Sequence, residues 1–205
     1  MKVGIINYGM GNLFSVKSAL NFLKYDNEYV NKPKDLIKYS KIILPGVGSF
    51  NQAINNLNNL GWSNEIKEMT EVKQIPILGI CLGMQLMAEI GKEDGEANGL
   101  GLIKGLIDKF SIEDKSLKIP HIGFNRVNFK ENDILFKNLN NSHADFYFVH
   151  SFRLKKVDND IITSECFYGE QFVSSFNKGN VFGTQFHPEK SQGNGLVVLK
   201  NFINF

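Results

Sequence analysis

Two cysteines in 205 residues, Cys81 and Cys166, leave the chain without a disulfide framework or the clustered thiols that hold a metal. It also lacks any run of about 18 apolar residues, the length that suggests a membrane-spanning helix. Charge of one sign is missing: 23 Lys and Arg stand against 21 Asp and Glu, a formal net charge of +2. That balance gives no electrostatic footprint for nucleic acid or for an anionic membrane. Residues 1 to 15 hold a strand-like run ending in glycine, not a basic segment before a long apolar one, which argues against a signal peptide. Repeats, low-complexity tracts and linkers are absent as well. What is there is 42% hydrophobic residues and 17 Phe, enough for one aromatic-rich core. The expectation is a single domain over residues 1–205, working in a reducing cytoplasm without metal or cofactor.

The first half alternates short apolar runs with segments of helical period, the pattern of a mainly parallel sheet flanked by helices. VGII (3 to 6), KIIL (41 to 44) and IPILGI (75 to 80) are nearly all apolar, as strands buried on both faces are. Between them, 12 to 24 places Leu13, Val16, Leu20 and Leu23 on one helical face, and 49 to 60 does the same with Phe50, Ile54 and Leu57. From about residue 100 the rhythm becomes β-rich. FYFVHSF (146 to 152), DIITSE (160 to 165), EQFVSSF (170 to 176) and NVFGTQF (180 to 186) predict hairpins on a shared sheet, and LVVLKNFINF a terminal helix.

The segment richest in chemistry is Gly79-Ile80-Cys81-Leu82-Gly83, set between a buried strand and a predicted helix containing Met84, Leu86, Met87 and Ile90. This is a nucleophile elbow with cysteine in the serine position. The flanking glycines suit a strained turn in which a nearby Cβ would crowd strand against helix. Unpaired N–H groups at the helix start favour the thiolate over the thiol. An isolated cysteine would be better read as a small buried residue; strand, glycines and helix together favour the nucleophile.

A cysteine nucleophile needs a base. Of the four histidines, His187 opens His-Pro-Glu directly after the apolar run 181 to 186. Pro188 disfavours helical backbone at His187, so the imidazole should project from a strand end, where parallel α/β folds gather active residues. Glu189 could then accept from the far ring nitrogen and stabilise the imidazolium. Acyl transfer also needs oxyanion donors. Pro45-Gly46-Val47-Gly48, at the end of the KIIL strand, can turn backbone N–H groups toward a ligand, with the Leu82 amide as second donor. The same turn suits Ser49 as a helix cap. A third glycine loop, Gly9-Met10-Gly11-Asn12, fails the dinucleotide pattern at Phe14 and reads as a tight turn with Asn12 exposed.

In this order, NYGMGN (7 to 12), PGVGSF (45 to 50), GICLGMQ (79 to 85), PHIGFN (120 to 125), YFVHSF (147 to 152) and GTQFHPEKSQ (183 to 192) resemble the signatures of the class I, triad-type glutamine amidotransferases across essentially the whole chain. Lys190 and Ser191 after the Glu are similar to the glutaminase subunits of imidazole glycerol phosphate synthase rather than to relatives serving anthranilate or GMP synthesis. The resemblance implies a flavodoxin-like α/β fold and glutamine as substrate. Cys81 would attack the side-chain amide, His187 would protonate the leaving ammonia, and water would hydrolyse the thioester. It further implies substrate contacts from Gly46, Gly48, Gln85, Ser151 and Phe152, and transfer of ammonia to a (β/α)8 cyclase subunit in histidine biosynthesis, near Asn12, His121, Phe124 and Lys190. The family usually carries Trp where this chain has Phe124. A paralogue feeding a sugar-amidinating synthase, a thiol hydrolase acting elsewhere than on glutamine, and a silent binding subunit are the alternatives.

Overall fold

The computed structural model describes residues 1–157 and 161–205. Its elements, in chain order, are β1 (Lys2–Ile6), α1 (Leu13–Phe22), β2 (Asp26–Val30), β3 (Lys41–Gly46), α2 (Phe50–Asn59), α3 (Trp62–Lys67), β4 (Ile77–Cys81), α4 (Leu82–Leu86), β5 (Ile90–Gly91), β6 (Ala97–Asn98), β7 (Gly105–Lys109), β8 (His121–Asn128), β9 (His143–His150), β10 (Phe152–Val157), β11 (Ile162–Tyr168), β12 (Glu170–Lys178), β13 (Val181–Thr184) and α5 (Gln192–Ile203). Among the described residues these strands form one 13-stranded sheet, whose main path runs β2-β1-β3-β4-β13-β12-β10-β7-β5-β6. From β2 to β13 every neighbour is parallel, so β3, β4 and β13 all end on one rim. From β13 through β12 and β10 to β7 the pairing is antiparallel, β5 then pairs β7 in parallel, and β11, β8 and β9 branch from β12.

The all-apolar strands β3 and β4 are buried along their whole length, as expected, with Ile75 and Pro76 before β4 partly buried. Their side chains alternate between two cores. Ile42, Leu44 and Ile77 meet Phe50, Leu57 and Trp62 of α2 and α3 on one face. Ile43, Leu78 and Ile80 meet Val16 and Leu20 of α1 and Val198, Leu199 and Phe202 of α5 on the other. Cys166 lies in this second core, 1% exposed, and burial pushes its thiol up to about 12.

Several expectations need correction. Asn12 is half-buried rather than exposed, because its side chain caps α1 by accepting from the Ser15 N–H at 3.2 Å. The helix after Cys81 stops at Leu86, and Ile90 belongs to β5, opposite Leu106. The carbonyls of Leu86, Ala88 and Met87 accept from Leu100, Gly101 and Ile103 at 2.7, 3.1 and 3.1 Å, so the loop from 99 to 103 takes the groups that would continue the helix. The run 146 to 152 is two strands broken at Ser151, not one. In the 160 to 165 run, Asp160 lies outside the described residues. Among the described residues no helix is long and apolar enough to cross a membrane, and no group of three or more His, Cys, Asp or Glu could hold a metal ion.

Candidate active site

Cys81 is the last residue of β4 and precedes α4, with φ 54° and ψ −110°. A non-glycine residue in such a conformation costs on the order of 1–3 kcal/mol and persists only where its surroundings enforce it. Here the enforcement is steric. A Cβ on Gly83 would lie 1.8 Å from the Leu44 carbonyl oxygen, and one on Gly79 would lie 2.6 Å from the Met84 nitrogen. Strand β3 and helix α4 therefore approach so closely that only glycine fits, and the turn between them lifts Cys81 onto the rim.

His187 reaches the same rim through register. Gly183 and Thr184 of β13 pair with Gly79 and Ile80 of β4, so the chain leaving β13 runs alongside Cys81. The backbone at His187 is extended (φ −95°, ψ 97°) before Pro188, as the proline dictates. Its N–H donates to the Tyr147 carbonyl at 2.9 Å, and Ser191 Oγ donates to its carbonyl at 2.7 Å while accepting from Tyr147 N at 2.9 Å. Nδ1 lies 2.8 Å from Glu189 Oε1, with both side chains 2% exposed or less. Burial works to lower the His187 pKa. The negative charge of Cys81 and the hydrogen bond and charge of the Glu189 carboxylate together outweigh it, raising the value to about 10. Nε2, the nitrogen turned away from Glu189, has no partner of good hydrogen-bond geometry among the described residues. The Cys81 sulfur instead lies 3.8 Å from the Val149 carbonyl and 3.7 Å from Gln185 Nε2. Thiol and imidazole are thus electrostatically coupled without a direct aligned bond.

In front of Cys81 lies a cavity of about 210 Å³, lined in part by Val47, Gly48, Leu82, Gln85, Ser151 and Phe152. Gly46 sits beside Cys81 in the β3–β4 register. Gly48 has φ +107°, and a Cβ there would press on Met10 Cε at 2.8 Å, so the turn requires glycine. Ser49 caps α2, accepting from Gln52 N at 3.4 Å, as expected. Gln85 donates both amide hydrogens inward, to the Phe152 carbonyl at 2.8 Å and to Gln185 Oε1 at 2.9 Å. Its own oxygen is what it can offer the cavity.

Of the residues expected near a partner, Phe124 is 51% exposed on β8 and Lys190 is exposed, its Nζ 5.8 Å from the Tyr147 ring centroid. His121 is different. It is 2% exposed, stacked on Phe148 and Tyr168 with centroids 4.8 and 4.0 Å away, so its ring presents nothing outward.

Sequence reasoning missed Glu93 and Gln185. Glu93 lines the cavity and accepts from the Phe50 N–H at 3.0 Å, and burial raises its pKa. Gln185 is fully buried beneath Cys81. Glu93 had no local signal, and Gln185 stood inside GTQFHPEKSQ without a role of its own. The Tyr8 hydroxyl, also near Cys81, is buried without a hydrogen-bond partner among the described residues.

A cysteine on a strained elbow, coupled to a His–Glu pair beside a small cavity, is the arrangement that thiol-dependent acyl transfer requires, and the fold in which it sits is shared. The chain belongs to the class I glutamine amidotransferases, whose family model matches residues 5–205; it is an amidotransferase enzyme. Among curated relatives it is 48% identical over 200 residues, 98% of each chain, to imidazole glycerol phosphate synthase subunit HisH 1 of Campylobacter jejuni subsp. jejuni. It is 46% identical, over 100% of this chain and 98% of the relative, to subunit HisH 1 of Parasynechococcus marenigrum. Its fold superposes on PurLQS from Thermotoga maritima with a TM-score of 0.76 at 22% identity, covering 99% of this chain and 97% of that one.

Proposed function

We propose that residues 1–205 form one glutaminase domain that supplies ammonia to the (β/α)8 cyclase subunit of an imidazole glycerol phosphate synthase in histidine biosynthesis. The observation that carries this reading is the meeting of Cys81, His187 and Glu189 on one rim beside the cavity. Its volume, about 210 Å³, falls below the roughly 300–1,000 Å³ of sites for drug-sized ligands, which suits a single amino acid. Similarity to HisH subunits over nearly the whole chain supports the pathway.

In this reading glutamine enters with its α-ammonium against Glu93 and its side-chain amide over Cys81. The thiolate adds to the amide carbon, and the oxygen takes the negative charge toward the N–H of Leu82 and those of the Val47–Gly48 turn, whose loss costs about 10²–10³ in rate per donor. His187, protonated because Cys81 and Glu189 favour its charged form, gives its proton to the departing nitrogen. The C–N bond breaks, leaving a γ-glutamyl thioester and ammonia. His187 then removes a proton from water, whose oxygen attacks the thioester to give glutamate and return the thiol. Ammonia must avoid solvent, since protonation ends its nucleophilicity. The strand pair β8–β9 offers a docking face: Ile122 and Phe124 are 60% and 51% exposed, and Lys190 stands beside Tyr147. Two unpaired cysteines suit the cytoplasm.

The test is glutamate release by the full chain, alone and with the barrel subunit and its nucleotide ligand. Release should be weak alone and rise sharply with both, and Phe124→Ala should weaken the stimulation more than the unstimulated rate. A chain that no cyclase subunit stimulates does not serve this synthase.

A further inference from the structure

Resting on the glutaminase reading, we infer that Gln185 is a donor to the Cys81 sulfur, oriented for that task by Gln85, whose own amide is fixed by the Phe152 carbonyl. The amide could point either way in isolation, but its neighbours fix it. The Phe152 carbonyl can only accept, so the Gln85 atom 2.8 Å from it is the nitrogen. That nitrogen's second hydrogen meets Gln185 at 2.9 Å, so the Gln185 atom there is the oxygen. The remaining end of Gln185, its NH2, therefore faces Cys81 Sγ at 3.7 Å.

The same carbonyl also accepts from a second run of buried side chains. His150 Nδ1 lies 2.8 Å from the Phe152 oxygen and must donate to it, which leaves Nε2 as an acceptor in the neutral ring. His121 Nδ1, 3.1 Å away, donates to that nitrogen. His121 Nε2 in turn accepts from Asn125 Nδ2 at 3.3 Å, and the Asn125 amide is itself fixed by its bond to the Phe167 carbonyl at 2.9 Å. Burial keeps both histidines neutral, as this pattern requires. Every link from Asn125 to Cys81 is thus determined in direction, and each member outside Asn125 is buried or lines the cavity. Gln85 acts here as a positioning residue, through Gln185.

A donor held against a sulfur favours its anionic form. The sulfur also faces Val149 O, which accepts and so favours the thiol. Gln185 and Val149 therefore pull the resting cysteine in opposite directions, with Gln185 on the side of the reactive species. The other titratable groups around the sulfur are His187 with Glu189 behind it, Tyr8, His150 and, across the cavity, Glu93.

The test is the pH profile of Cys81 alkylation by iodoacetamide, measured on the full chain and on Gln185→Met, whose side chain keeps the length and loses the donor. The inference expects the Met profile to move to higher pH by about one unit, roughly tenfold slower alkylation below the midpoint, with the melting temperature nearly unchanged. A merely structural glutamine would leave the profile in place, and superimposed profiles overturn the inference. If the Met variant does not fold, the side-chain amide of Gln185 in the unmodified chain is followed by 15N NMR across the same range. It must titrate with the alkylation midpoint, and an invariant signal overturns the inference. The functional reading fails differently, through a parent chain whose glutaminase activity survives complete alkylation of Cys81.

Discussion

The buried pair His121 and His150 makes the native chain sensitive to acid well above the range of ordinary carboxylates. Burial lowers the two pKa values from 6.5 to about 4 and about 3, respectively. The unfolded chain takes up both protons as pH falls below about 6.5, whereas the native chain refuses them. Stability is therefore fully present above that pH and lost below it, at up to about 1.4 kcal/mol per pH unit for each histidine. Between pH 7 and pH 5 the pair should remove about 3–4 kcal/mol, a large share of the roughly 5–15 kcal/mol that holds a domain together. His187 behaves oppositely: with a folded pKa of about 10, its contribution is complete below pH 6.5 and is lost as pH rises toward 10. Urea unfolding at pH 7.5, 6.5, 5.5 and 5.0, followed by the fluorescence of the single, buried Trp62, measures the loss directly. His121→Gln should be less stable at neutral pH but should show only about half the parent's acid dependence, the remainder running through its neighbour His150. A variant as steep as the parent would refute the reasoning.

Two further outcomes follow from single contacts. Gly83→Ala places a methyl 1.8 Å from the Leu44 carbonyl oxygen, which is backbone and cannot swing aside, so the elbow must open; differential scanning calorimetry should show a loss of about 3 kcal/mol, the upper end of the usual overpacking cost, together with loss of glutamate release. Glu189→Gln keeps an acceptor for His187 Nδ1 but removes the charge that favours the imidazolium; the chain should fold normally while glutamate release falls by about a hundredfold or more, and an undiminished rate would remove Glu189 from the triad.

The central half of the fold was legible because its strands carry their own signal. KIIL and the ILGI of IPILGI are apolar without alternation and turn out buried on both faces, and the glycines around Cys81 announce a close approach that the 1.8 and 2.6 Å clearances explain. Strand β2, DNEYV, was not legible: it lies at the sheet edge with exposed Asp26 and Glu28, and its composition resembles a loop. Helix α4 read too long because Met84, Leu86, Met87 and Ile90 fit a helical period, while the groups that end it are amides ten or more residues later in the chain. The site divides the same way. Cys81, His187 and Glu189 sit in short motifs whose chemistry is local. Glu93 and Gln185 gain their places from pairings between distant segments, Glu93 from α2 and Gln185 from β4 and its helix. Resemblance placed His121 near a partner, yet its ring is enclosed by Phe148 and Tyr168, a fact that depends on β8, β9 and β11 folding over one another.

The account stands on Cys81 being the atom that attacks glutamine. The most direct measurement is exposure of the full chain to a glutamine analogue bearing an electrophile at the γ position, followed by peptide mass mapping and residual glutaminase assay. The expected result is one adduct, on Cys81, formed more slowly in the presence of glutamine and in His187→Asn, with activity lost in proportion to labelling. Labelling that falls on Cys166, or glutamate release that persists in Cys81→Ala, would contradict it.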